Sequence, residues 1–91
     1  MDDGRTPELR LAALAAHLSA RRLDVGLDSR GLRVRKAQAK GHVEDTISCR
    51  VRPEDGGRLW YFTSGGEPIA PADRVTDAAV FVLGHLAGEG R

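Results

Sequence analysis

The stretch Arg58-Leu59-Trp60-Tyr61-Phe62-Thr63 decides the fold, because it places three of the chain's four aromatic residues at consecutive positions. Such a composition favours a β-strand, in which consecutive side chains point to opposite faces of the sheet. Trp60 and Phe62 therefore share one face, and Leu59 and Tyr61 share the other. We expect Trp60 and Phe62 to face the core, since they carry the larger apolar area, and one apolar pair to meet solvent or a partner.

Three more strands are predicted upstream, because apolar and polar residues alternate in Leu23–Leu27, Leu32–Val34 and Ile47–Val51. The first two flank Asp28-Ser29-Arg30-Gly31, which is typical of a tight turn with a left-handed glycine. We predict a mobile loop over Lys36–Asp45, which holds a single large apolar residue, Val43. Two successive hairpins then give an antiparallel sheet of three or four strands.

Helices are predicted at both ends of this sheet. Thr6-Pro7-Glu8 is typical of a helix start, and leucines follow it at helical spacing up to about Arg21. A second apolar stripe runs between Asp73 and Gly88. The intervening segment Gly65–Asp73 is a proline-stiffened loop, interpreted either as a contact element or as a simple connector.

The predicted fold is an α+β two-layer sandwich in the order α-β-β-β-β-α, with the N- and C-terminal helices on one face of the sheet. We expect one domain over residues 1–91, with an ordered core over about 6–87 and frayed termini. Such an arrangement leaves the second face of the sheet open.

Composition restricts the functional class. The net charge is +1, and the single cysteine, Cys49, excludes an intramolecular disulfide. The N-terminus lacks the basic start and apolar run of a signal peptide, and no apolar stretch is long enough to cross a bilayer. We therefore expect a cytoplasmic protein with no membrane partner.

Arginines alternate with the apolar residues of the predicted strands, so four of them should lie together on the open face. Arginine beside an aromatic side chain suits an acidic partner, and we predict a non-enzymatic protein-interaction or regulatory module. Its partner would be another protein or a second copy of the chain, and the alternative is a merely solvated sheet face. The predicted contact residues are Trp60, Tyr61, Arg33, Arg35, Arg50, Arg52 and Arg58.

Weak nucleic-acid binding by the same arginines is the second hypothesis. Residues 21–58 hold ten basic and six acidic side chains, so the basic excess lies in the predicted sheet. Acidic residues interrupt this run at Glu44-Asp45 and Glu54-Asp55, which limits the neutralisation of phosphates.

Catalytic and metal sites have little support in the sequence. His17, His42 and His85 are scattered, with no pair at ligand spacing, and Cys49 lies in an apolar strand phase. Ser64-Gly65-Gly66 follows a strand but precedes no helix start, which excludes a phosphate-binding loop of the nucleotide-hydrolase kind. We predict no catalytic residue, metal or cofactor.

The chain also resembles short proteins of unknown function from high-GC actinobacteria, over residues 9–87. The resemblance rests on Gly56–Ser64, Gly66–Ile69, Ala72–Val75 and Ala78–Ala79, supported by Leu23–Leu27 and Gly31–Val34. One departure is Gly65, where such proteins are expected to carry tryptophan, so a stacking role at that position is not transferred. The resemblance implies a cytoplasmic bacterial setting and no particular activity.

Overall fold

The computed structural model describes residues 6–38 and 41–88. The elements follow the chain as helix α1 (Thr6–Ser19), strands β1 (Asp24–Asp28), β2 (Gly31–Gln38) and β3 (Gly41–Arg52), a short 3-10 helix (Pro53–Asp55), strands β4 (Arg58–Phe62) and β5 (Pro68–Pro71), and helix α2 (Val75–Gly88). The expectation of frayed termini falls on residues outside the described part of the chain.

The strands form a single antiparallel sheet in the order β1-β2-β3-β4-β5. The two helices pack against each other, and both contact β3, so they cover the same face of the sheet. In this order, each strand pairs with the strand that follows it along the chain. The predicted two-layer sandwich, with both terminal helices on one face, is confirmed.

The sheet has five strands, and the prediction of three or four was wrong. The extra strand is β5, which pairs with β4 inside the segment that was predicted to be a loop. Proline lacks a backbone N–H and is tolerated at strand ends and sheet edges. Pro68 and Pro71 are the two ends of β5, which is an edge strand, and Ile69 between them packs against the core.

The predicted mobile loop over Lys36–Asp45 was also wrong in the residues that the structure describes. Strand β2 continues to Gln38 and β3 begins at Gly41, and the two remain in register over this length. Both faces of this part of the hairpin carry mostly exposed or half-buried side chains. An arm without a buried face shows no alternation of apolar and polar residues, so the sequence pattern could not reveal it.

Strand β4 has the opposite phase to the one expected. Tyr61 is fully buried against the helices, together with Cys49 on the neighbouring strand, whereas Trp60 and Phe62 point to the open face. The expectation that Trp60 and Phe62 face the helices was therefore wrong. Apolar area alone does not decide the phase of a strand in which both faces are apolar.

The predicted turn at Asp28–Gly31 is present and depends on its glycine. Gly31 has φ +133°, a conformation that other residues rarely adopt. A Cβ atom at this position would also overlap the backbone carbonyl oxygen of Ile47 on the adjacent strand. The turn therefore brings β2 so close to β3 that only glycine fits.

We expect Gly31→Ala to lower the free energy of unfolding by about 3 kcal/mol, since it adds both dihedral strain and a backbone clash. Gly56→Ala is the matched control, because Gly56 also has positive φ (+66°) but has open space at the Cβ position. It should cost about 1 kcal/mol. Urea unfolding of both variants measures the difference, and equal losses would show that the clash with Ile47 does not constrain the turn.

Candidate functional site

The open face, meaning the sheet face opposite the helices, is built from alternate residues of β2, β3 and β4. The register pairs Arg33 with Thr46, Ser48 with Phe62, and Arg50 with Trp60, so these side chains project to the same side. Arg35 lies two residues after Arg33 on β2, and Arg52 lies two residues after Arg50 on β3, so both also project to the open face. The four arginines predicted to share this face therefore do so.

Two of the arginines lie directly on the aromatic rings of β4. The Arg50 guanidinium carbon is 4.0 Å from the centre of the Phe62 ring, and that of Arg52 is 4.3 Å from the centre of the Trp60 ring. Each pair is diagonal across the strands, and each cation–π contact contributes roughly 0.5–1 kcal/mol. The Trp60 indole Nε1 donates a hydrogen bond of 2.7 Å to Asp55, which fixes the ring beneath its arginine.

The arginine side chains cover Trp60 and Phe62 on the open face. Phe62 is only 6% exposed, although it lies on the face without helices, and Trp60 is half-buried. What the open face presents at this point is guanidinium groups held in place by aromatic rings. The expected bare apolar pair is absent.

Tyr61 is not available to a partner, because its side chain has no exposed area. Its hydroxyl donates a hydrogen bond of 2.6 Å to the backbone carbonyl oxygen of Arg10 in α1. Burial, and the nearby thiol of Cys49, raise the pKa of Tyr61 well above its ordinary value. We therefore remove Tyr61 from the predicted contact residues, since it is part of the core.

Arg58 differs from the other predicted contact arginines in having two carboxylate partners. Its guanidinium forms ion pairs with Asp55 at 3.3 Å and with Asp73 at 3.1 Å. These contacts tie β4 to the 3-10 helix and to the turn before α2. The structure thus supports a role for Arg58 in joining elements within the chain.

Most of the arginine charge on the open face is matched by a neighbouring carboxylate. Arg33 pairs with Asp28 at 3.5 Å, Arg35 with Glu44 at 3.4 Å, and Arg52 with Glu54 at 3.9 Å. Arg50 has no carboxylate at ion-pair distance within residues 6–38 and 41–88. Arg50 therefore carries a positive charge at the centre of this face that no carboxylate of the described residues balances.

Arg50 stands between two shallow grooves, with volumes of about 380 and 280 Å³. The larger, here named the hydroxyl groove, is lined by Arg30, Thr46, Ser48, Arg50, Thr63, Ser64 and Gly66. The smaller, here named the proline groove, is lined by Arg50, Val51, Arg52, Pro53, Glu54, Phe62, Gly66 and Pro68. One arginine thus borders both a polar groove and a partly apolar one.

Arg30 and the hydroxyl residues were not among the predicted contact residues. Arg30 belongs to the β1–β2 turn, and the folded sheet places it on the same groove as Ser48 and Arg50 of β3. Thr46, Ser48 and Arg50 occupy every second position of β3, and this spacing in the sequence was sufficient to predict that they share one face. The approach of Arg30 was not predictable in this way, because it depends on how the turn lies against the neighbouring strand.

In the described part of the chain, Ser64, His85 and Asp45 border one shallow cavity and are of the residue types that serve in nucleophilic catalysis. Asp45 accepts a 3.0 Å hydrogen bond from His85 and so links β3 to α2. However, within the described part of the chain no hydrogen bond joins Ser64 to His85, so a nucleophile in contact with its base is not formed.

The part of the chain that the structure describes carries neither a metal-ligand cluster nor a membrane-spanning helix. No group of three or more histidine, cysteine or acidic side chains is placed to hold a metal ion there. Neither helix in residues 6–38 and 41–88 combines the length and the apolar character needed to cross a bilayer.

Cys49 is a buried free thiol on the helix side of β3. Burial raises its pKa from the ordinary 9.0 to about 11, partly opposed by the positive charge of Arg10. A thiol that resists ionisation is a poor nucleophile.

No protein-family model matches this chain, and no curated protein or solved structure is significantly similar to it. The geometry of the open face therefore carries the functional assignment.

The raised pKa of Cys49 predicts a loss of stability in alkaline solution. The unfolded chain releases the thiol proton near pH 9, whereas the folded chain retains it to about pH 11, so ionisation favours the unfolded state as the pH rises between these values. The free energy of unfolding should fall by up to roughly 1.4 kcal/mol per pH unit in this range.

Urea unfolding at several pH values tests this, with Cys49→Ala as the comparison. The variant starts from a lower stability but should lose less of it between pH 9 and pH 11. The ionisation of Tyr61 adds a further loss at higher pH in both proteins. Identical pH dependence of the two proteins would contradict the assignment to Cys49.

Proposed function

We propose that this chain is a non-enzymatic protein-interaction module whose open sheet face binds an acidic segment of a partner protein. The observation that carries the proposal is Arg50, a guanidinium fixed on Phe62 at 4.0 Å and without a carboxylate partner in the described residues. A cation that is already held in place loses little entropy when it pairs with an anion. It therefore favours binding more than a freely rotating surface arginine would.

The two grooves beside Arg50 suggest the kind of segment that fits. The hydroxyl groove offers side chains that hydrogen-bond to a negatively charged group. The proline groove offers Pro53, Pro68 and the edge of Phe62 to a small apolar side chain. An extended segment with acidic and apolar residues in alternation matches this pair of grooves.

Nucleic acid is a weaker match to the same face. Three of its arginines are paired with carboxylates. A polyanion would have to displace these carboxylates or bind against their repulsion. Non-specific affinity for nucleic acid grows with the number of phosphates neutralised, and only a small part of this face is free to do so. The ion pairs thus favour a short acidic segment over a long polyanion.

A direct test uses a short peptide of alternating glutamate and leucine, with the glutamine-for-glutamate peptide as its control. Trp60 is the only tryptophan and lies under Arg52, so its fluorescence reports binding at this face. We expect the acidic peptide to bind and the glutamine peptide to bind at least about tenfold more weakly. Chemical shifts of backbone amides in β3 and β4 should change on titration.

Arg50→Gln should weaken binding of the acidic peptide about tenfold, whereas Arg74→Gln should leave it unchanged. Arg74 is an exposed arginine directly before α2, lines neither groove, and pairs with Asp77 at 3.4 Å. Thermal unfolding of both variants controls for folding. Equal weakening by the two substitutions would contradict a specific face, and tighter binding of a single-stranded oligonucleotide would favour the nucleic-acid hypothesis instead.

A further inference from the structure

We propose that the hydroxyl groove is a binding site for a phosphate monoester, carried by a phosphorylated serine or threonine of the partner segment. This inference rests on the proposed function and names the anion that the open face is built to take. Three observations support it: the residues that line the groove, the hydroxyl protons that have no acceptor, and the two arginines without a carboxylate partner.

The side chains that line the groove can donate hydrogen bonds, and no aspartate or glutamate is among them. Two arginines, Arg30 and Arg50, line it together with four residues that carry a hydroxyl group, Thr46, Ser48, Thr63 and Ser64. Hydroxyls can both donate and accept, but guanidinium groups only donate. A groove with this excess of donors, and with two positive charges, is matched by a ligand that only accepts and carries negative charge.

The hydroxyl protons in the groove are free to be donated. Thr63 is only 5% exposed, and its Oγ1 accepts a 3.1 Å hydrogen bond from the backbone N–H of Glu67. The hydroxyl proton of Thr63 has no acceptor within the described part of the chain, although its side chain is buried. The hydroxyls of Ser48 and Ser64 likewise make no hydrogen bond within residues 6–38 and 41–88.

Neither arginine is paired with a carboxylate in the described part of the chain. Arg50 lies on Phe62 at 4.0 Å in a cation–π contact, and its guanidinium N–H groups donate no hydrogen bond within residues 6–38 and 41–88. The backbone N–H of Arg30 donates to Asp28 at 2.8 Å, which fixes the turn. The second oxygen of Asp28 pairs with Arg33, so this carboxylate is engaged elsewhere.

A phosphate monoester uses these groups more fully than a carboxylate does. At neutral pH it carries roughly −1.5 to −2 charges and has three strong acceptor oxygens. Two arginines balance that charge, and the hydroxyls supply additional donors to a tetrahedral group. A glutamate side chain brings one charge and two oxygens in a plane, so it would leave part of the lining without a partner.

Three peptides of identical sequence test the inference, with serine, glutamate or phosphoserine at one position of the acidic and apolar segment. Trp60 fluorescence and backbone amide shifts give the affinities. We expect the phosphoserine peptide to bind about tenfold more tightly than the glutamate peptide, and the serine peptide to bind most weakly. Inorganic phosphate should shift the amides around the groove but bind more weakly than the phosphoserine peptide, because it lacks the contacts of the neighbouring proline groove.

Variants locate the phosphate. Arg30→Gln and Ser48→Ala should abolish the preference for phosphoserine over glutamate, while both peptides still bind. Arg52→Gln is the control, because Arg52 lies on the same face but borders the proline groove alone. It should weaken both peptides and leave the ratio of their affinities unchanged.

The possible failures are distinguishable. Equal affinities for phosphoserine and glutamate would overturn the phosphate site and leave the proposed acidic docking intact, whereas no binding of any peptide would overturn both. A phosphoserine preference that survives Arg30→Gln and Ser48→Ala would place the phosphate outside the hydroxyl groove. Inorganic phosphate binding as tightly as the phosphoserine peptide would contradict a phosphorylated protein segment as the ligand.

Discussion

The hydrogen bond from Tyr61 to the carbonyl oxygen of Arg10 sets the orientation of the aromatic strand, and the rest of the open face follows from it. Tyr61 is fully buried at the junction of β4 and α1, where its hydroxyl needs a partner and finds one at 2.6 Å. A shift of one residue in β4 would remove this bond and exchange the two faces of the strand. With Tyr61 fixed inside, Trp60 and Phe62 can only point outward.

The outward position of Trp60 and Phe62 would expose two aromatic rings to solvent, and two arginines of the chain cover them. Arg50 and Arg52 lie over the two rings, and Asp55 binds the indole nitrogen, so the aromatic residues are covered without a second molecule. The covering groups are cations, and the surface that results is charged where the sequence suggested an apolar patch. The docking proposed for this face is therefore electrostatic first, with the rings acting as supports that hold the guanidinium groups in place.

The sequence predicts the layers of this fold well and the details of the face less well. Alternation along β2 and β3 correctly placed four arginines on the open side, and leucine spacing located α1. The β5 strand was missed because its two terminal prolines are typical of loops and are tolerated here only at a sheet edge. The phase of β4 was missed because both of its faces are apolar, and the deciding contact, a hydroxyl to a helix carbonyl, joins residues far apart in the chain. The same limit applies to Arg30, whose position in the groove is a property of the packed turn.

The pairing of charges on the open face concentrates its attraction in a small area. Exposed ion pairs such as Arg33–Asp28 and Arg35–Glu44 stabilise the fold only slightly, on the order of 0–1 kcal/mol each. Their larger effect is to cancel the field of the outer arginines, so that the remaining positive charge lies at Arg30 and Arg50 around the hydroxyl groove. A uniformly basic sheet would attract any polyanion along its length. A face that is neutral at its edges and positive at one groove favours a compact, highly charged group that can sit between two arginines. This distribution of charge is the basis on which we propose a phosphorylated side chain, and not a nucleic-acid backbone, as the ligand.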